Sequence, residues 1–448
     1  RRNLNLGHQY MIHFIGIGGI GVSALAKQYL AEGAAVSGSD LKRSEITDEL
    51  SGLGARIKIG HRPGNLLKKT ERVIYTAATP LSNPELREAK KRRCKVQTYA
   101  EAVGELTRRC RTITISGAHG KSTTTALTAL ALIEGYWDPT VIVGTKVREF
   151  GDSNFRRGYG PFLVLEADEW NRSFLHYSPE IAVFTNIDAE HLDTYGTVEG
   201  VETAFRDYMA RVPRNGKIIV NRDDARLVRV AEPFRRQVVW YSLRDRAADT
   251  ARRILRIPGA HNVLNALAAF TVGRALGVRD ADILRALSRF SGTWRRFEFK
   301  GLLNGAFVFT DYGHHPTEIQ KTLAAARARF PFRRLWCVYE PHQRERLMYL
   351  WSEFTGAFDL ADRVCLLPVY DVAGRETRRG RKSANSEKLA EEIRRRGKNS
   401  QYLESFTAAR ELIRNEARQG DVIFVMGAGG VYTLTDLIQN DIIKTATV

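Results

Sequence analysis

The sequence is poor in cysteine and short of acidic side chains. Its four cysteines, Cys94, Cys110, Cys337 and Cys365, are widely spaced and form no CxxC pair. That spacing argues against a disulfide framework or a zinc knuckle and fits a reducing, cytoplasmic setting. Long apolar runs are missing too. None approaches the ~20 residues that cross a bilayer, so no membrane insertion is expected. Met11–Ile20 is apolar but broken by glycines, and it reads as a strand and turn rather than a signal peptide. With Arg1 first, the initiator methionine is expected to have been removed or to precede the numbering. There is no internal repeat and no low-complexity tract, and 43% hydrophobic with 27% charged residues excludes wholesale disorder. The acid deficit leaves 69 Lys+Arg against 50 Asp+Glu, a net charge of +19. Such a surplus favours anionic partners such as nucleotides. It is dispersed in short clusters: Lys90–Arg93, Arg108–Arg111, Arg333–Arg334, Arg378–Lys382 and Arg394–Arg396. These read as solvated faces with little of the aromatic interleaving that single-strand binding uses, so no nucleic-acid partner is expected.

The 448 residues suffice for about three domains. Strand-like runs alternate with helical patterns throughout. Tyr10–Ile15, Ala35–Ser39 and Arg72–Ala77 are read as strands, with helices at Ile20–Ala31 and Asn83–Lys91. Further strands are expected at Arg111–Ser116, Phe162–Leu165, Ile181–Thr185 and Lys217–Val220, with helices at Ser122–Glu134, Asn262–Leu276 and Ala281–Phe290. A last set follows at Ala306–Thr310, Leu335–Tyr339, Arg363–Leu367 and Asp421–Val425. The alternation predicts an α/β protein of three domains, 1–107, 108–291 and 292–448, each a mostly parallel sheet flanked by helices. Ligands in such sheets collect beyond the carboxyl ends of the strands. Polar residues stand there at Glu166–Glu169, Asn186–His191, Asp311–His315, Glu340–His342 and Tyr370–Asp371.

Two glycine loops carry phosphate chemistry. Gly16, Gly18 and Gly21 fit GxGxxG between a strand and a helix, where backbone N–H groups can approach a pyrophosphate. Ser39-Asp40 ends the next strand, where an acid often meets a ribose. The second loop, Gly117-Ala118-His119-Gly120-Lys121-Ser122-Thr123, is a shortened phosphate loop, with Ile115 where the longer form has glycine. Its lysine can reach terminal phosphates and its serine hydroxyl can hold Mg²⁺, so ATP is the expected ligand. A simple dehydrogenase needs only the first loop and a simple ATPase only the second. The carboxylates of Glu166-Ala167-Asp168-Glu169 suit Mg²⁺, and His191 lies among further acids at a strand end. His261 and Asn262 could cap a helix that also carries Asn265; Arg295-Arg296 could clamp a phosphate.

HFIGIGGIGVSALA, VSGSD, GAHGKSTTT, LEADE, NIDAEHLDTY, GAHNVLNA, RRFEF and DYGHHPTE follow one another along the chain. With these in order, it resembles the Mur ligase family over nearly its whole length, and its alanine-adding branch in particular. The resemblance implies a Rossmann-like first domain holding UDP-N-acetylmuramate, a central P-loop ATPase, and a Rossmann-like third domain bringing L-alanine. ATP would phosphorylate the muramyl carboxylate, and the alanine amine would displace phosphate from the acyl phosphate. Carried over by position, Lys121 would hold the β- and γ-phosphates with Gly117, Ala118, His119, Gly120, Ser122 and Thr123 around it. Ser122 would bind one Mg²⁺, and Glu166 with His191 a second. His261, Asn262 and Asn265 would lie on the adenine side, and Arg296 and Asp311 would complete the ATP site. Tyr312, His342 and Arg346 would surround the amino acid; Gly18, Gly19, Ser39 and Asp40 would hold the UDP part. Four departures stand out: Ala118 and Ser122 replace threonines, Trp170-Asn171 replaces Ser-Asp, Thr310 replaces an aspartate and Gln343 an arginine. They leave open a recycling ligase that adds a tripeptide to the same sugar nucleotide, and a degenerate binder without turnover. Monomer and homodimer are both open.

Overall fold

The computed structural model describes residues 10–371 and 385–445; the basic cluster Arg378–Lys382 lies outside them. Three sheets form. In the first, five parallel strands run in the order Arg56–Ile59, Ala35–Asp40, Met11–Ile15, Thr70–Tyr75, Lys95–Thr98. The second has seven, in the order Val238–Tyr241, Lys217–Asn221, Ile181–Phe184, Arg111–Ser116, Phe162–Glu166, Thr140–Val147, Ser153–Arg156. All its pairs are parallel except the last, an antiparallel hairpin. The third has six: Glu298–Leu303, Ala306–Asp311, Val422–Met426, Leu335–Tyr339, Arg363–Leu366, Ser400–Tyr402, with only the first pair antiparallel. Ile113, Ile115, Val164, Ala182 and Val183 are wholly buried, as expected of central strands covered on both faces.

Local chemistry sets the helix boundaries. Asn83 accepts N–H bonds from Glu85 and Leu86, and Pro84 occupies the first turn, so that helix runs Pro84–Lys91. Thr98 and Glu101 form a capping box ahead of Tyr99–Thr107. The helix expected from Asn262 starts earlier and spans Ala260–Ala275, so His261 and Asn262 lie in its first turn rather than capping it.

The chain divides into two compact units. One runs through Leu255 and resumes at Asn262–Phe290; it contains the first two sheets. The other joins Arg256–His261 to the chain from Ser291 onward and contains the third. Inside the first unit, the helix Ile20–Ala31 lies against the hairpin of the second sheet. Lys27, only 4% exposed, donates to Glu49 of the first sheet's layer and to Ser153 Oγ (3.1 Å) and Asn154 Oδ1 (2.8 Å) of the hairpin. Asn154 Nδ2 donates in turn to Ser23 Oγ at 2.8 Å. The four cysteines are all free. Among the described residues, no helix is long and apolar enough to cross a membrane.

Candidate active site

The phosphate loop follows the buried strand Arg111–Ser116 and leads into the helix Lys121–Glu134. Two of its residues must be glycine. Gly117 has φ +138°, and a Cβ there would lie 2.0 Å from Thr185 Oγ1; Gly120 has φ +83°, and its Cβ would lie 2.4 Å from Asn265 Oδ1. The neighbouring strand end holds the loop in shape. Asn186 accepts the His119 N–H through Oδ1 (2.9 Å) and donates from Nδ2 to the His119 carbonyl (2.9 Å). Thr185 Oγ1 donates to that carbonyl at 2.7 Å, and His119 Nε2 meets Asp188 Oδ2 at 2.8 Å. Asn265 accepts from Thr124 Oγ1 at 3.1 Å and donates to Asn262 Oδ1 at 3.2 Å, so both asparagines support the loop from behind.

Lys121 is aimed back over its own loop. Its ammonium donates to the Gly117 carbonyl (2.8 Å) and to both oxygens of Glu169 (2.9 and 3.0 Å). Burial works against the charge, but the carboxylates of Glu169, Asp168 and Glu166 outweigh it and hold the lysine pKa above its ordinary value. Ser122 Oγ donates to Glu166 Oε1 at 3.1 Å, and the Gly144 N–H to Glu166 Oε2 at 2.7 Å. Burial pushes the Glu166 carboxyl upward, while Lys121 and those two donors pull it back. Donor atoms of Asp168, Glu169 and His191 lie within 4.8 Å of one another, and His191 Nε2 is 3.8 Å from Glu169 Oε1. The carboxylate beside His191 is therefore that of Glu169, while Glu166 turns to Ser122. The sequence reading counts Glu169 among the carboxylates of that acidic run, but the family resemblance puts Glu166 beside His191.

At the first glycine loop, Gly18 N–H donates to Asp40 Oδ2 at 2.8 Å, and Gly16 N–H to the Ser39 carbonyl at 2.8 Å. Gly19 sits at the N-terminus of the helix Ile20–Ala31. Ser39 is fully buried, with its hydroxyl donating to Glu85 Oε2 (2.6 Å) and lying 3.0 Å from His61 Nδ1. Glu85 is a buried hub that also meets His13 Nε2 at 3.1 Å and accepts from the Arg62 N–H at 3.1 Å. No local pattern marks this hub, because its members lie far apart along the chain.

In the second unit, Arg296 Nη1 donates to Glu318 Oε1 at 3.0 Å. Asp311 is buried, accepting N–H bonds from Phe297 and Gly313 at 2.8 Å each; burial raises its pKa. Tyr312, His314, His342 and Tyr370 form an aromatic cluster in which the His342 ring stacks on Tyr370 at 5.5 Å and 8°. Arg346 Nη1 lies 3.2 Å from His342 Nδ1. Gln343 takes a left-handed φ of 70° and donates its N–H to the Tyr370 carbonyl at 2.9 Å. Beside the cluster, buried Glu340 accepts the Val431 N–H at 3.1 Å; burial raises its pKa to about 7. His261 belongs to this unit's short segment, with Gly259 (φ +102°) turning the chain ahead of it.

Comparison with known proteins agrees with this layout. Residues 11–111 match the Mur ligase family catalytic domain, 115–273 the Mur ligase middle domain, and 295–429 the Mur ligase glutamate ligase domain. The chain belongs to the Mur ligase family. As such it is an ATP-dependent ligase. This Mur ligase is 39% identical to the UDP-N-acetylmuramate–L-alanine ligase of Geobacter sulfurreducens, over 94% of this chain and 95% of that protein. It is 35% identical to the enzyme of the same name from Clostridium botulinum, over 96% and 97%. Its fold matches the crystal structure of UDP-N-acetylmuramate-alanine ligase from Thermotoga maritima with a TM-score of 0.81 at 26% identity, covering 97% of this chain and 99% of that one. A murein peptide ligase from Psychrobacter arcticus shares the fold at TM-score 0.70 and 23% identity, over 96% and 98%.

Proposed function

We propose that this Mur ligase joins L-alanine to the carboxylate of UDP-N-acetylmuramate, converting ATP to ADP and phosphate in the synthesis of a cell-wall precursor in the cytoplasm. The observation that carries the reading is the phosphate loop whose lysine is ringed by Glu169, Asp168 and Glu166. Relatives with that activity, matching nearly end to end, supply the substrates.

A carboxylate resists attack by an amine because it is anionic and has no good leaving group. In the first step a muramyl carboxylate oxygen bonds to the γ-phosphorus, and the bond to the β–γ bridging oxygen breaks, releasing ADP. In the second the alanine nitrogen bonds to the acyl carbon, the acyl C–O bond breaks, phosphate leaves, and the amine gives up a proton. Lys121 would exchange Glu169 for the β- and γ-phosphates, with the Gly117–Thr123 backbone around them. Asn262 and Asn265 hold the loop from the adenine side, with His261 next in sequence. Hard oxygens on Ser122 and Glu166, and the Asp168, Glu169 and His191 donors, form sets that fit Mg²⁺. Bound there, Mg²⁺ would offset phosphate charge. Arg296 and Asp311 would complete nucleotide binding, with Tyr312, His342 and Arg346 at the amino acid. Gly18, Gly19, Ser39 and Asp40 would serve the UDP part, Ser39 and Asp40 by shaping the loop. On this reading 1–107, 108–291 and 292–448 bring the sugar nucleotide, ATP and amino acid respectively.

The test is phosphate release with ATP, Mg²⁺ and UDP-N-acetylmuramate across single amino acids and a tripeptide. Release that requires the sugar nucleotide and is greatest with L-alanine is expected. Preference for the tripeptide would move this enzyme to the recycling reaction, and binding without release would make it a non-catalytic binder.

A further inference from the structure

Arg295 lies next to Arg296 in sequence, yet it faces a different set of partners. It is 4% exposed and adopts a left-handed φ of 58°. Its Nη2 donates to the carbonyls of Gly427 and, at 3.2 Å, Gly429, in the glycine loop after the strand Val422–Met426. Its guanidinium carbon stands 4.9 Å from the Tyr312 ring centre and 4.5 Å from that of Tyr432. Arg296 lies 5.2 Å from the same Tyr312 ring, so both arginines hold Tyr312. The Tyr312 N–H donates to the Arg295 carbonyl at 2.5 Å, which ties the two backbones as well. Among the described residues no carboxylate forms an ion pair with Arg295; the acid that favours its charge is Glu340. A dry cation without a direct counter-ion, on a strained backbone, is expensive if it merely fills space. An aliphatic side chain would pack there without desolvating a charge.

The glycine loop connects this arginine to the aromatic cluster. A Cβ on Gly429 would fall 2.3 Å from Glu340 Oε2 and 2.6 Å from Tyr370 Cγ, so the loop lies directly against both. Tyr370 in turn stacks on His342. Arg295 thus touches Tyr312 directly, and reaches Tyr370 and His342 through the carbonyls it holds.

We propose that Arg295 is a positioning residue for the acceptor amino acid: without touching it, Arg295 fixes the Tyr312 ring and the Gly427–Val431 loop that together set the acceptor pocket. This rests on the reading above that Tyr312 and His342 face L-alanine. Tightening around a small zwitterion then depends on a cation spread over aromatic faces and two carbonyls, a role that lysine, with a compact ammonium, fills incompletely.

The test is steady-state kinetics of the full chain carrying Arg295→Gln or Arg295→Lys, with each substrate varied in turn. In Arg295→Gln the KM for L-alanine is expected to rise at least tenfold, with those for ATP and UDP-N-acetylmuramate within twofold of wild type. Arg295→Lys should recover part of that loss. Glu340 provides a second readout: Arg295 helps hold its pKa down, so an ionisation near pH 7 in the alanine KM profile should move to higher pH in Arg295→Gln. Should Arg295→Gln fail to fold, the same KM split in Arg295→Lys decides. Unchanged alanine KM in either folded variant, or a parallel rise of all three KM values with a lowered melting temperature, would overturn the inference. A wild-type enzyme inert toward L-alanine would instead overturn the acceptor assignment beneath it.

Discussion

Lys121 is half-buried and Glu340 buried, and the two are held differently. Lys121 has three carboxylates around it that hold it as an ammonium, which on the proposed reaction would turn to a phosphate. Lys121→Met should lower kcat by about 10²–10³-fold, as expected on losing one preorganised donor to developing charge; single-turnover phosphate release reads it. Glu340 has burial against it, with backbone N–H groups and Arg295 in its favour, and its pKa rises to about 7. The sign follows. An acid that holds its proton more tightly when folded costs stability as pH climbs from its unfolded value of about 4.3 through 7. Glu340→Gln should therefore leave stability nearly unchanged at pH 4 and raise it by ~3–4 kcal/mol at pH 8, read by denaturant melts of the full chain. Equal effects at both values would sink the argument. Residues of this kind were unevenly legible. Lys121, Ser122 and Glu166 sit in short runs that announce themselves. Nothing local marks Glu85; Arg295 and Glu340 stand in runs that read as a phosphate clamp and a strand end, but their partners lie farther along the chain and could not be read from them.

Among elements, the glycine loop after the strand Arg111–Ser116 is the most demanding. Gly120 combines φ +83° with a Cβ position 2.4 Å from Asn265 Oδ1, whereas Gly33 has φ +87° and nothing within 4 Å. The two alanine variants separate strain from collision. Both should lose ~1–2 kcal/mol through the left-handed backbone. Only Gly120→Ala should also raise the KM for ATP, on the order of tenfold; equal ATP kinetics in the two variants would show that the contact with Asn265 is unimportant. Legibility varied among the strands as well. Central strands such as Ile181–Phe184 and Leu335–Tyr339 are apolar runs, buried throughout, and could be read directly. Edge strand Arg56–Ile59 alternates charge with isoleucine over four positions, Lys95–Thr98 has valine as its one apolar residue, and both resemble loops. The hairpin Thr140–Arg156 and the antiparallel strand Glu298–Leu303 were also missed; each contains a glycine and a lysine where the register shifts.

Across the whole molecule, on the proposed reaction the net charge of +19 would meet two polyanionic substrates and one zwitterion. Steering by that field weakens as salt shortens the screening length from ~10 Å at 0.1 M to ~3 Å at 1 M. The KM for UDP-N-acetylmuramate should rise several-fold between 0.05 and 0.5 M salt, while that for L-alanine stays within twofold. Equal responses would assign the charge no part in capture. Three α/β layers were legible from the alternation of strands and helices. The gathering of the first two sheets into one compact unit was not, since it depends on side chains from both.

Lys27 gives that union a consequence for recombination. Its ammonium is dry, and its partners Glu49, Ser153 and Asn154 come from both sides of the junction near residue 107. A chimera with its breakpoint there would join Lys27 to a foreign hairpin and leave its ammonium without the Ser153 and Asn154 acceptors. Such crossovers should yield insoluble hybrids unless Ser153 and Asn154 are transplanted together with the helix Ile20–Ala31. The exchangeable module is therefore expected to be the pair of sheets, moved as one piece.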